Sequence, residues 1–424
     1  MNYFKNQISK LWTRGAFHIF IGSFLSKFIA FFGSIFLVRV LSKNSYGILS
    51  YIENIYGYIY IFAGLGLGNA LLRYVILGKT IEEKYGYYKY SIKTSTLFNI
   101  ILAFIIFIGS LYYPHPYEFE SAKWLLSLIV LAIPFHYLIT SNSLAYRAMI
   151  DNKKYAYVTF ITSVTLIVGR YIGAILFGLN GVIVAKIIIN VFFGILLCYL
   201  IYKSYFMNVN PYTLDKYVKK TVNRYSIQYM ITNGIWTIFM LNDVFMLSFL
   251  TGSASIVADY KVAYVLPANI SIISSAIGVF IGPYFVQHEN DKRWVWQNYK
   301  KTLLANIGLI SPAVMIMFIF ANPIITILFG QQYQNVSNIM RLLIISAFVN
   351  SGFRYISAHL LSSMGEIKYN MIISFLGVIF QIAINFIAIP IYGSIGAAFT
   401  SIVVYMFMAL ALSVVFIRKY KFSS

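Results

Sequence analysis

Apolar runs of about twenty residues recur from one end of the chain to the other, and this recurrence limits the fold more than any motif. A bilayer's hydrocarbon core is ~30 Å thick and a helix rises ~1.5 Å per residue, so a spanning helix needs ~20 apolar residues. Such runs are predicted near 15–40, 48–71, 94–113, 124–146, 155–177, 181–202, 225–250, 261–286, 302–320, 338–362, 369–390 and 396–417. Twelve spans with short connections suit 424 residues that are 60% hydrophobic and 11% charged, well outside globular composition. The expected class is an all-α polytopic membrane protein with no soluble domain on either face. The first run is too long for a signal-peptide core and lacks a cleavage site. The single cysteine, Cys198, rules out a disulfide framework.

A net charge of +21 would suit nucleic acid, but its placement gives a different reading. With these spans, connections on the side of the N-terminus hold 24 of the 33 Lys and Arg residues. The opposite side holds five (Arg39, Lys43, Lys123, Lys261 and Arg341), and four fall within spans. Basic residues gather in short loops on the cytoplasmic side. Both termini are therefore predicted to be cytoplasmic, and no nucleic-acid partner is expected.

The longest polar connection, 203–224, is basic and falls near the middle of the chain. It divides the sequence into a six-helix bundle over 1–202, a cytoplasmic linker, and a second six-helix bundle over 225–424. Local similarity supports a repeat. "FGLNGVIVA" (177–185) resembles "YGSIGAAFT" (392–400), matching Gly178 to Gly393 and Gly181 to Gly396 at an offset of 215. "NKKYAYVTFITS" (152–163) resembles "EIKYNMIISFLG" (366–377) at an offset of 214. Six helices per repeat make the repeats parallel, and transporters so built bind substrate between their halves and work by alternating access.

A charge at the bilayer centre costs roughly 2.5–3.5 kcal/mol on insertion scales, so each needs a partner or a wet cavity. Lys27 lies midspan on a stripe of Ser23, Ser26, Ala30, Gly33 and Ser34, with phenylalanines and isoleucines covering most of the other face. Arg354 shares a face with Asn350, Ser351 and Ser357. Arg170 is flanked by Gly169 and Gly173, and Lys186 has Asn190 one turn on. The acids are Glu53, on a face with Gly57, Tyr60 and Gly64, and Asp243, on a face with Thr232 and Trp236. Each acid is either an ion-coupling carboxylate or a salt-bridge partner for the cations. His18, His136 and His359 show no metal spacing and read as interfacial or packed residues; no metal and no cofactor is expected. Pro267 and Gly282-Pro283 are hinge candidates, and Pro134 and Pro312 mark bends in the fourth and ninth spans.

A cavity with Lys27, Arg354 and Arg170 against few acids is cationic and selects anionic cargo. Pyrophosphate is the anion that Lys and Arg donors hold most naturally, with tyrosines and Asn/Ser groups left to meet sugar rings. At these residues the chain resembles a family. "GSFLSKFIAFFGSIFLVRVLSKNSYGILSYIENIYGYIYIFAGLGLGNALLRY" (22–74) is similar to the opening of the Wzx-type polysaccharide flippases of the multidrug/oligosaccharidyl-lipid/polysaccharide (MOP) exporter superfamily. Lys27, Arg39-x-Leu41, Tyr46-Gly47 and Gly64-Leu65-Gly66 with Arg73 carry the resemblance, and "NPIITILFGQQYQNVSNIMRLL" (322–343) resembles that family's ninth-to-tenth connection. The resemblance implies two pseudo-symmetric, MATE-like bundles of six helices in a bacterial cytoplasmic membrane. It implies transfer of undecaprenyl-pyrophosphate-linked oligosaccharide to the outer leaflet, driven by a proton or sodium gradient. The transporter would act as a monomer beside polysaccharide polymerase machinery. A first-helix basic residue meets the diphosphate in related flippases; Lys27 stands at that place as a point charge where the family has arginine.

A MATE-like ion-coupled drug exporter shares the expected fold but calls for more acids and fewer cations in its lumen. The 72–93 connection lacks the Gly-x-x-x-Asp-Arg/Lys pattern of major-facilitator transporters. An enzyme of polysaccharide polymerisation needs a large outer loop and a nucleophile or carboxylate pair, and neither is evident in the sequence.

Overall fold

A computed structural model describes residues 16–421. Within it the side chains of residues 16–24, 26 and 27 lie outside the described residues, so Lys27 and His18 have a helix but no stated contacts. Among the described residues there is no strand. The helices are α1 (Ala16–Val40), α2 (Lys43–Ile61), α3 (Leu67–Leu77), α4 (Ile81–Tyr112), α5 (Ala122–Val130), α6 (Ile133–Ala148) and α7 (Asn152–Ile201). They continue as α8 (Lys216–Thr251), α9 (Ala254–Val265), α10 (Ser271–Gln287), α11 (Lys292–Ile319), α12 (Ala321–Phe329), α13 (Ser337–Val349), α14 (Tyr355–Ser363) and α15 (Ile367–Tyr420).

Among the described residues seven tracts are long and apolar enough to cross a membrane, and the bent pairs α2–α3 and α5–α6 make up to nine. The chain is a multi-pass membrane protein. Two tracts are too long for one crossing: α7 has 50 residues and α15 has 54, or roughly 75–80 Å of helix against a ~30 Å core. Each is broken once by a glycine. Gly178 has φ 57° and ψ −137°, and Gly393 has φ 57° and ψ −131°, a conformation that a Cβ resists. These are the two glycines matched by the sequence repeat. The packing beside them also recurs. A Cβ on Gly181 would lie 1.9 Å from the carbonyl oxygen of Gly173, and one on Gly396 would lie 2.3 Å from that of Ala388. The two stretches of each tract approach backbone to backbone at the same offset.

The bends have identifiable causes. Between α2 and α3, bent by 47°, Gly64, Leu65 and Gly66 all take positive φ. The Asn99 side-chain oxygen accepts the Gly64 N–H at 2.6 Å, so the broken backbone keeps a partner, as hydrocarbon burial demands. Between α5 and α6, bent by 43°, Pro134 stands in the first turn of α6, where proline is tolerated. Helices α4, α8 and α11 begin well before the apolar runs expected at 94, 225 and 302. Thr80 caps α4 by accepting the Glu83 N–H, with Glu82 and Glu83 in the first turn, and Asp291 caps α11. Caps and first-turn charge extend a helix into water where hydropathy has no signal. The last part of the 203–224 connection is therefore helix, from Lys216 onward.

The described chain packs as two compact units. One takes the chain up to Ser42, Ile55–His115 and Glu120–Asn233; the other takes Lys43–Asn54, Pro116–Phe119 and Gly234–Ser424. Helices α2 and α8 are thus divided between units, so the packing boundary is not the single cut through 203–224. In the first unit Val222 of α8 is buried with Leu67 and Ala70 of α3, and the backbone of Gly66 lies against the Ser226 carbonyl. In the second unit Gly47 of α2 lies against the Ala254 carbonyl. There the Glu118 carboxylate accepts the Ala254 N–H at 2.7 Å, capping α9.

Gly181→Leu is expected to lower the monodisperse, detergent-extracted fraction several-fold, because backbone occupies the place of its side chain. Gly308→Leu, whose Cβ meets nothing within 4 Å, is expected to behave as wild type. Fluorescence-detected size-exclusion chromatography of both variants checks this.

Candidate functional site

Each unit holds one buried cation seated on an aromatic face. In the first unit Lys186 is 8% exposed, on the stretch of α7 after the Gly178 break, with its Nζ 4.1 Å from the centroid of the Tyr56 ring. The Tyr56 hydroxyl shares a 3.0 Å hydrogen bond with His136 Nδ1, and the His136 ring stacks on Tyr60 at 4.5 Å. Tyr60 in turn meets the Thr140 hydroxyl at 3.1 Å. A desolvated cation–π contact is worth ~2 kcal/mol or more, so Tyr56 offsets part of the cost of holding an ammonium there. Beside this cluster α6 and α7 enclose a cavity of about 260 Å³ whose lining includes His136, Thr140 and Asn190.

In the second unit Arg354 is 4% exposed, with its guanidinium carbon 4.1 Å from the Trp236 ring centroid. One Nη donates to the Asn350 side-chain oxygen at 3.3 Å, and the buried Nε has no hydrogen-bond partner among the described residues. Arg354 ends a π-turn, Asn350–Arg354, between α13 and α14. The Asn306 amide donates to the carbonyls of Ser351 and Gly352 at 2.9 and 3.1 Å, supporting the widened turn. Such π-turns inside α-helices recur at functional sites.

Asp243 lies in the same unit and is 8% exposed. Its carboxylate accepts from Tyr260 at 2.6 Å, Ser401 at 2.7 Å, and the side-chain amides of Gln381 and Asn385 at 2.9 Å each. All four donors are neutral. The amide oxygens of Gln381 and Asn385 are buried and have no hydrogen-bond partner among the described residues. Both amides turn their N–H groups to the carboxylate, which is therefore held by donors alone. No group of three or more His, Cys, Asp or Glu residues with metal-ligand spacing occurs among the described residues.

The other candidates fall apart from these clusters. Glu53 belongs to the second unit, while Gly57, Tyr60 and Gly64 on its helix belong to the first. Its electrostatic partner is Lys261, which the hydropathy reading had put in an outer connection and which lies within α9. Arg170 is half-buried on α7 and does not line the cavity. Pro267 opens a 3₁₀ turn between α9 and α10. Gly282 and Pro283 lie inside α10, which runs through them as helix. Sequence reasoning passed over His136, Tyr56 and Asp259, the last of which pairs with Lys43 at 2.7 Å. His136, Thr140 and Ser143 recur at helical spacing, and that polar face was the available signal.

A set of hydrophobic tracts broken by paired glycines, with buried cations on aromatic rings, defines a polytopic membrane protein with a polar interior. The structure of the lipid II flippase MurJ in an inward closed conformation superposes with a TM-score of 0.74 at 15% identity, covering 94% of this chain and 87% of that one; the fold is shared. Residues 36–338 match the family model described as "Polysaccharide biosynthesis protein", and the chain belongs to that family. It is also 23% identical over 407 residues to "Uncharacterized membrane protein MJ1068" of Methanocaldococcus jannaschii, covering 88% of this chain and 78% of that protein. Over 169 residues, 40% of each chain, it is 27% identical to the Shigella flexneri protein named "Putative O-antigen transporter".

Asn306→Ala is expected to cost about 1–3 kcal/mol by leaving two buried carbonyls of the π-turn without a donor. A lower Tm of the purified protein, with Asn306→Asp less well tolerated than wild type, checks this.

Proposed function

We infer that the protein is a flippase carrying undecaprenyl-pyrophosphate-linked oligosaccharide repeat units from the cytoplasmic to the outer leaflet of a bacterial cytoplasmic membrane. The observation that carries this reading is Arg354, a guanidinium held in the membrane interior on Trp236 with one buried N–H unpartnered. Among the described residues it has no carboxylate partner, so its charge is available to an anion. Guanidinium matches phosphate oxygens in a planar fork, and an intramembrane charge without a counter-ion marks a substrate path. Membership of the polysaccharide biosynthesis family supplies the cargo class, and the likeness to a lipid II flippase supports a lipid-linked form of it. Lys186, seated on Tyr56 in the first unit, is a second cation suited to the diphosphate, and Arg170 and Lys27 stay candidates from their places in the sequence.

In this reading the chain crosses the membrane twelve times, with both termini cytoplasmic. The glycine breaks of α7 and α15 each turn one tract into two crossings. Transport proceeds by alternating access in a monomer and delivers repeat units to polymerase machinery. Asp243 is the ion-coupling carboxylate of this reading, in which a proton or sodium gradient drives transport, because it is a buried acid held by four neutral donors. Glu53, partnered with Lys261, is the weaker coupling candidate. A MATE-like exporter of small cationic molecules is the alternative; a buried arginine without a carboxylate opposes it.

Lys186→Ala and Arg354→Ala are each expected to reduce surface polysaccharide at least severalfold. Repeat units should then collect in the cytoplasmic leaflet at unchanged protein levels. Surface polymer at wild-type amounts in both variants contradicts the reading. Asp243→Asn is expected to abolish the dependence of transport on an imposed ion gradient in proteoliposomes, and gradient dependence equal to wild type removes Asp243 from coupling.

A further inference from the structure

The cavity of the first unit is chemically unlike the Lys186 cluster beside it. Four of its hydroxyl groups are already committed as donors. Thr140, Ser143, Thr162 and Ser163 each give their proton to a carbonyl of their own helix, at 3.1, 2.8, 2.7 and 2.8 Å. What they present to the cavity is therefore oxygen lone pairs. Two lining groups remain unmatched: the Asn190 amide nitrogen, on a residue 2% exposed, and the Thr159 hydroxyl. Leaving a buried polar group without a partner is costly, and two of them on residues lining one cavity mark a place that a ligand completes.

The wall chemistry selects the occupant. An anion would meet lone pairs where it needs donors. A metal cation would find acceptors, but it would sit beside Lys186, whose charge acts directly on His136 in the wall. An acyl chain would leave the Asn190 amide and the Thr159 hydroxyl unpaired. A neutral polyhydroxyl molecule satisfies every group: it donates to the four committed hydroxyls, accepts from the amide, and exchanges with Thr159. The volume of about 260 Å³ equals roughly eight or nine waters by their liquid share, which is the scale of one pyranose ring. The lining runs from Tyr155 near the start of α7 to His136 on α6, whose ring stacks on Tyr60.

We propose that this cavity is a saccharide subsite, separate from the diphosphate-binding cations, that receives one sugar ring through Asn190, Thr159 and the hydroxyl wall. The proposal deepens the flippase reading and rests on it for the source of the sugar. The subsite holds a sugar of the lipid-linked repeat unit while a cation outside it bears the diphosphate, so the carbohydrate contributes affinity of its own.

The test uses the full-length protein in lipid nanodiscs with three probes. These are repeat-unit lipids extracted from source cells lacking this transporter, undecaprenyl pyrophosphate without sugar, and the free oligosaccharide released from the first probe. Wild type is expected to bind the glycosylated lipid about tenfold more tightly than the bare one, the worth of one or two satisfied buried groups. Asn190→Leu with Thr159→Val, and separately Ser163→Phe, which fills the cavity from its wall, are expected to erase that preference. Affinity for undecaprenyl pyrophosphate should stay as in wild type. Equal binding of both lipids by wild type overturns the subsite, as does a preference that survives in both variants. Loss of both lipids together in the variants assigns these residues to the diphosphate site or to folding, and overturns it too. Failure of wild type to bind either lipid rejects the flippase reading instead. Free oligosaccharide bound in an Asn190-dependent way then supports a sugar site with a soluble source, and its absence overturns the subsite as well.

Discussion

The structure depends on the cost of keeping charge inside hydrocarbon. At roughly 2.5–3.5 kcal/mol for each central charge, a chain with buried Lys186, Arg354 and Asp243 must surround them with compensating groups. It does so in different ways. The two cations sit on aromatic faces, Tyr56 and Trp236, which stabilise positive charge. The acid is enclosed by hydroxyl and amide donors from α9 and from the two stretches of α15. These arrangements make the interior polar where a cargo or ion must pass and apolar elsewhere.

The backbone bends under the same constraint. In a membrane a helix can break only where its freed N–H and C=O groups find partners. Asn99 supplies one at the Gly64–Gly66 break, and Asn306 supplies another at the π-turn before Arg354. Both asparagines are fully buried, and both lie on a helix other than the one they repair. The bends and the polar interior are therefore one design: the residues that allow irregular backbone also make a place for charge.

The sequence carried the large-scale features clearly because they follow from composition and period. Apolar runs marked the membrane tracts, and the repeat "FGLNGVIVA" against "YGSIGAAFT" pointed to Gly178 and Gly393, which share one backbone conformation in the structure. Arg354 was legible from its polar face. The partners were not. Nothing in the neighbourhood of Asp243 in sequence announces Gln381, Asn385 and Ser401, more than a hundred residues away, because tertiary packing alone brings them together. His136 read as a packed residue because its importance lies in Tyr56 on another helix. Helix starts at Ile81 and Lys292 were hidden for a different reason: caps and charge set them, not hydropathy. The assignment of Glu53 to the second unit likewise comes from how α2 packs, and no local pattern encodes that.

The central claim is that buried cations on aromatic faces receive a lipid diphosphate. The most direct measurement is native mass spectrometry of the purified protein with undecaprenyl pyrophosphate and undecaprenol, comparing wild type with the Lys186→Ala, Arg354→Ala double variant. The account predicts that wild type retains the diphosphate lipid in preference to the alcohol and that the double variant, still folded, retains both equally. A folded double variant that keeps the wild-type preference for the diphosphate would contradict it.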